Sequence, residues 1–137
     1  MSRITSSDVG LLILRVGYAS LMFGLHGWPR LMRVYNHFVL GQPWGFIGVV
    51  EHIGLPFPLF FALASTVAES ICSLLVGLGI GTRLAAAVIS CNMAVAVYSE
   101  AYKGDSIDLP GMYLLVGVSL MILGGGSLTV RPLFARP

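Results

Sequence analysis

Long apolar segments alternate along the chain with short polar or glycine-rich breaks. Four of these segments reach, or nearly reach, the roughly 20 residues that a membrane-spanning helix needs: residues 9–28, 58–80, 83–98 and 109–123. Pro29 is expected to end the first segment, and the glycines at 124–126 are expected to end the fourth. The pattern predicts an all-α fold, an integral membrane four-helix bundle.

The connection between the first two spans, residues 30–55, is long and contains four aromatic residues among polar ones. Because Trp and Tyr favour the headgroup layer, part of this connection is expected to lie along the membrane surface. Gly41, Gly45 and Gly48 argue against a single continuous helix there. The next connection is a tight turn, which makes spans two and three antiparallel neighbours. Residues 1–137 are interpreted as one domain.

Composition supports insertion in a lipid bilayer. Hydrophobic residues make up 56% of the chain, charged residues 10%, and the mean hydropathy is +0.87. A soluble domain carries roughly 25% charged residues, so this chain has too little polar surface for a water-exposed globule. The net charge of +2 comes from dispersed basic residues, which argues against a nucleic-acid partner. The first span lacks a cleavage pattern and is interpreted as retained.

The distribution of basic residues gives an orientation. Arg3, Arg83, Arg131 and Arg136 lie on the side of the N-terminus, against Arg30, Arg33 and Lys103 on the other side. Since Lys and Arg accumulate in cytoplasmic loops, both termini are predicted to be cytoplasmic in a multi-pass protein of the cell membrane, expected to be a bacterial inner membrane.

Charged residues inside the apolar segments indicate where chemistry would occur. Arg15 lies in the first span and Glu69 in the second, and charges at such positions usually face a bundle interior or a cavity. At 1.5 Å per residue they would lie about 9 Å and about 16 Å from the same surface. We therefore predict an Arg15–Glu69 ion pair, with Asn92 of the third span as a further polar partner. Two interpretations stay open: the pair only fixes helix register, or it lines a ligand pocket.

Other polar residues complete the candidate site. Tyr18 and His26 share the helix face of Arg15, and His26 is expected near the far interface as a proton or hydrogen-bond partner. No zinc-type spacing is present, so no metal site is predicted. Cys72 and Cys91 have similar expected depths on adjacent helices, as a redox pair or as small packing residues.

Several short motifs resemble one known family. Leu25-His26-Gly27-Trp28-Pro29-Arg30, Glu69 followed by Gly77-Leu78-Gly79, and the ending Gly125-Gly126-Ser127-Leu128-Thr129-Val130 are similar in order and spacing to DoxX-type membrane proteins. The resemblance covers nearly the whole chain. It implies a small four-span bundle, with Arg15, His26 and Glu69 as the matched polar positions.

The resemblance also implies a function. DoxX-type proteins include membrane subunits of quinone-linked thiosulfate oxidation and proteins of thiol or oxidative-stress systems. We therefore expect the small membrane component of a quinone-linked redox system, with quinone as cofactor and a redox subunit or a second copy as partner. Catalytic roles fall to Glu69, Arg15 and His26, and the quinone pocket to Arg15, Tyr18, Glu69 and Asn92. The alternatives are a non-catalytic scaffold that anchors a partner enzyme and, ranked lower, a small permease; whether the protein is an enzyme stays open.

Overall fold

A computed structural model describes residues 4–130, and these residues form five helices and no β-strand. In chain order the helices are α1 (Ser6–Leu40), α2 (Gly45–His52), α3 (Pro58–Leu78), α4 (Thr82–Lys103) and α5 (Asp108–Leu123). Helices α1, α3 and α4 are long and apolar enough to cross a membrane, and α5 is a shorter apolar helix. The all-α prediction is confirmed, with three full-length spans and one short one.

Helix α1 is longer than the sequence predicts because Pro29 does not end it. A proline inside a helix lacks an N–H, and its ring collides with the carbonyl four residues earlier. Here the turn Phe23–Gly27 is π-helical and comes directly before Trp28 and Pro29, and its wider winding accommodates the ring. Helix α1 ends at Leu40. The next residue, Gly41, caps the helix with a left-handed φ of +67°, which favours glycine.

Short connections fix the order of the remaining helices. Gly79 and Gly81 have φ values of +80° and +55°, and together they form the tight turn that makes α3 and α4 antiparallel neighbours, as predicted. After α5, the chain returns to the end of α3, where the Val130 N–H donates to the Leu78 carbonyl at 3.1 Å.

The interior has two apolar clusters. The larger one joins α1, α3, α4 and α5 and includes Tyr18, Met22, Val76, Ile89 and Leu120. The smaller one consists of Trp44, Val50 and Ala62, and it attaches the connection and α2 to α3. Trp44 is only 5% exposed, so the body of this tryptophan packs inside the smaller cluster. Most large apolar side chains on the outer faces are exposed, as expected for helices that face lipid.

Candidate functional site

Two π-helical turns meet at the centre of the bundle. Phe23–Gly27 of α1 packs against Ala68–Cys72 of α3, the turn that carries Glu69. A Cβ atom on Gly27 would lie 2.9 Å from the Ser70 Cα atom, closer than van der Waals contact permits. Glycine therefore allows the two backbones to approach. Single π turns inside α-helices are frequent at functional sites, because they redirect side chains.

Glu69 is the buried acid of this site, with 2% of its surface exposed. Its Oε2 atom lies 2.9 Å from the Nε atom of Arg30, and its Oε1 atom accepts a hydrogen bond of 2.9 Å from the Nδ2 atom of Asn92. The Arg30 N–H is not well aligned with Oε2, so this oxygen lacks a hydrogen-bond donor among the described residues. A buried ion pair of this kind cancels the charge but leaves one acceptor position available.

Arg30 is held in place by two further contacts. Its Nη1 atom donates to the Ser65 hydroxyl, one helical turn before Glu69. Its Cζ atom lies 4.0 Å from the centroid of the Phe46 ring of α2, in cation–π geometry. Residues from α1, α2, α3 and α4 thus converge on one charged group.

A cavity of about 480 Å³ extends from this polar cluster. Arg30, Glu69 and Asn92 line it together with apolar side chains of α2, α3 and α4. The lining residues of α4 recur every three or four positions from Val88 to Lys103, so one face of this helix borders the cavity. From Asn92 to Lys103 this face is about 16 Å long. Lys103 and Glu100, paired at 3.1 Å, lie at its distal end.

The predicted Arg15–Glu69 ion pair is wrong. Arg15, 2% exposed, donates from Nε to the Gly77 carbonyl at 3.1 Å, from Nη2 to the Leu128 carbonyl at 2.6 Å and from Nη1 to the Gly125 carbonyl. The register explains the error. Gly27 packs against the Glu69 backbone, and Arg15 lies 12 residues earlier in α1, about 18 Å along the helix axis.

Tyr18 and His26 contact Tyr113 of α5 and do not line the cavity. The Tyr18 hydroxyl donates to the Tyr113 carbonyl at 3.1 Å, and the His26 ring lies 5.5 Å from the Tyr113 ring in an edge-to-face arrangement. The expected position of His26 near the far interface is wrong, because the next residue, Gly27, packs against the middle of α3. The His26 Nε2 atom is buried without a hydrogen-bond partner among residues 4–130.

Of the predicted pocket residues, Glu69 and Asn92 come together, whereas Arg15 and Tyr18 do not line the cavity. The sequence interpretation missed Arg30, which it counted as a loop charge beyond Pro29. One signal was present: Arg30 follows His26 by four positions and so extends the polar face of α1. The catalytic roles assigned to Glu69, Arg15 and His26 stay predictions.

The two cysteines occupy different environments. Cys72 is half-buried against the main apolar cluster, and Cys91 is exposed and lines the cavity; both thiols are free. The contacts of Cys72 therefore fit the interpretation of this cysteine as a small packing residue.

Apolar helices of spanning length around a buried polar cluster define this chain as a small helical integral membrane protein. The DoxX family model matches residues 10–100, which is more than half of the chain. The protein belongs to the DoxX family, as its motifs predicted. No curated protein and no solved structure matches the chain.

Proposed function

We propose that this protein binds a quinone in the cavity beside Glu69, as the small membrane component of a redox system. The observation that carries the proposal is the lining of the cavity, in which the polar group Glu69, Asn92 and Arg30 adjoins a mostly apolar wall along α4, with the Lys103–Glu100 pair at the distal end. A quinone combines an apolar tail with a head that has two carbonyl oxygens, and this lining offers complementary surfaces to both parts.

The residues present fit that ligand. Arg30 and Asn92 carry N–H groups that can donate to a carbonyl oxygen at the polar end of the cavity. Glu69 can deliver or receive a proton there, because its Oε2 atom lacks a well-aligned donor within the part of the chain that the structure describes. Polarisation of the quinone carbonyl is assigned to Arg30 rather than to Arg15, since Arg15 is already bound to three backbone carbonyls.

A quinone accepts two electrons and two protons when it is reduced to the quinol. In this proposal the chain supplies the pocket and the proton route through Glu69, and a partner redox subunit that oxidises a sulfur or thiol compound supplies the electrons. Identification of proteins that co-purify from gently solubilised membranes would test that partner. The scaffold alternative shares the partner but does not require the pocket.

The proposal includes a membrane topology. We propose a multi-pass protein of a bacterial inner membrane, with both termini in the cytoplasm. The ion pair between Arg30 and Glu69 supports this orientation. Because Arg30 is paired inside the bundle, it no longer counts among the loop cations that set the orientation. Arg33 and Lys103 then remain on one side against Arg3, Arg83, Arg131 and Arg136 on the other. Reporter fusions at both termini, read in intact cells, would test it.

The quinone proposal is tested by binding of decylubiquinone and decylubiquinol to the purified protein in lipid nanodiscs. Glu69→Gln keeps the size of the side chain and removes its charge. Because a quinone carbonyl only accepts hydrogen bonds, the loss is expected for the reduced form: affinity for decylubiquinol, whose hydroxyl donates to the carboxylate, should fall about tenfold, the value of one charge-assisted hydrogen bond. Ala96→Phe fills the apolar part of the cavity and should weaken binding at least as much. Glu51→Gln is the matched control, an exposed acid outside the cavity. Equal affinity in the wild type, Glu69→Gln and Ala96→Phe proteins would contradict the proposal.

A further inference from the structure

A second cavity, of about 460 Å³, lies where α1 ends and α2 begins. Its wall combines two residues of α1, three of the connection and three of α2: Arg33, Asn36, Gln42, Pro43, Trp44, Gly45, Phe46 and Val49. It is separate from the polar cluster around Glu69, although Phe46 and Val49 border both cavities. The quinone proposal does not use it.

The lining of this second cavity is rich in hydrogen-bond donors and contains no carboxylate. The side chains of Arg33, Asn36 and Gln42 form no hydrogen bond or salt bridge with another described residue. The indole N–H of Trp44 is buried and lacks an acceptor within residues 4–130, although the residue is only 5% exposed. Of these donors only the Trp44 N–H is buried; Arg33 and Gln42 are exposed, and Asn36 is half-buried. Buried donors are normally paired, so the Trp44 N–H beside the charge of Arg33 indicates an oxygen-rich, negatively charged ligand.

The position of the cavity narrows the choice among such ligands. Trp44 packs against Ala62, four residues after the start of α3 at Pro58, which places the cavity about 6 Å from that end of the span. Tyr35 and Phe38 are exposed on the same end of α1, as is typical of the headgroup layer of a membrane. A lipid headgroup is the phosphate-bearing group that is abundant at this depth.

We infer that the second cavity binds the phosphate of an anionic phospholipid whose headgroup carries hydroxyl groups, of the phosphatidylglycerol type. The Arg33 guanidinium and the Trp44 N–H donate hydrogen bonds to the phosphate oxygens. The carboxamides of Asn36 and Gln42 can donate hydrogen bonds to the headgroup hydroxyls or accept them. The ammonium group of a phosphatidylethanolamine headgroup could not form an ion pair here, because this lining contains no carboxylate. The site should therefore discriminate against phosphatidylethanolamine.

Bound lipid can be counted by native mass spectrometry of the protein in detergent with equal amounts of phosphatidylglycerol and phosphatidylethanolamine. For the wild type we expect retention of phosphatidylglycerol to exceed that of phosphatidylethanolamine about fivefold, the effect of one basic residue near an anionic headgroup. Arg33→Gln should remove the preference. Trp44→Phe, which keeps an aromatic ring but loses the N–H, should reduce it.

Arg83→Gln is the matched control, because Arg83 is an exposed cation outside both cavities. It should retain the wild-type preference. Circular dichroism and the thermal midpoint of each variant establish that it is folded; if Arg33→Gln is not folded, Arg33→Lys and Trp44→Phe decide. Equal losses in Arg33→Gln and Arg83→Gln would indicate general charge attraction and overturn the inference.

A competition experiment distinguishes the phosphate of a lipid headgroup from a free phosphate ion. Inorganic phosphate at millimolar concentration should leave lipid retention unchanged, since it lacks the hydroxyl-bearing headgroup and the acyl chains. Displacement of phosphatidylglycerol by inorganic phosphate would assign the cavity to a soluble anion and overturn the lipid assignment.

Discussion

The pairing of Glu69 with Arg30 rather than Arg15 can be measured directly by a double-mutant cycle. Arg30→Met leaves a carboxylate that is 2% exposed without its counter-charge, with only the Asn92 hydrogen bond remaining. Removal of one partner from a buried ion pair costs about 3–5 kcal/mol. The Arg30 side chain is 20% exposed and keeps some solvation, so we expect the lower end, about 3 kcal/mol of unfolding free energy.

The double variant Arg30→Met/Glu69→Met should recover most of that loss, because two apolar side chains of similar volume replace the pair and no charge stays unpaired. The coupling energy from the cycle is then about 2 kcal/mol, within the range for residues in contact. Arg15→Met lies about 18 Å from Glu69 along the bundle, and its effect should add to that of Glu69→Met within about 0.5 kcal/mol.

Reversible unfolding in mixed micelles, followed by circular dichroism as the SDS fraction rises, gives the required free energies. Each cycle uses the same four proteins: wild type, two single variants and the double variant. The reasoning is refuted if Arg15 and Glu69 couple as strongly as Arg30 and Glu69, since that result would restore the register predicted from the sequence.

Two further predictions follow from the backbone contacts. Gly27→Ala should lower the unfolding free energy by about 1–3 kcal/mol in the same SDS titration, because its Cβ meets the backbone of Ser70. The matched change Gly24→Ala, in open space, should leave the unfolding free energy unchanged or raise it by up to about 1 kcal/mol, since alanine favours the helix, and equal effects would contradict the close approach of the two π turns. Arg15→Gln should increase amide hydrogen exchange in residues 124–130, because it removes donors to Gly125 and Leu128, and unchanged exchange there would argue against that attachment.

The sequence predicts the helices well because their signal is local. Apolar segments of spanning length and the glycines that end them are readable from composition and order alone, and the structure retains the all-α arrangement of apolar spans. The prediction fails at Pro29, since the π turn before it depends on packing between α1 and α3. The wrong pairing of Glu69 with Arg15 follows from the error at Pro29. A helix that ended at Pro29 would leave Arg30 in a loop, and Arg15 would then be the only buried cation.

The contacts of the site are harder to predict than its residue types. Glu69 and Asn92 are recognisable as buried polar residues of neighbouring spans, and they do form a hydrogen bond. The axial register between α1 and α3 decides which arginine reaches Glu69, and that register is set by Gly27 against the α3 backbone and by close contact of Gly77 with Ala19. Neither glycine carries a side-chain pattern that reveals its partner.

The buried Arg15 and the half-buried Arg30 differ in which groups neutralise their charges, and this difference separates their proposed roles. Arg15 donates to three carbonyls, and the Gly77 carbonyl lies in the last turn of α3, where the negative end of the helix dipole favours a cation. Its hydrogen bonds are internal to the fold and attach the segment after α5 to α3. Arg30 is balanced by a carboxylate whose Oε2 atom has no well-aligned donor within residues 4–130, and both groups border a cavity. Of the two arrangements, the second could exchange a protein contact for a ligand contact without leaving a charge unpaired. The proposed ligand chemistry is therefore assigned to the Arg30–Glu69 pair, and Arg15 is assigned to the packing of the segment after α5 against α3.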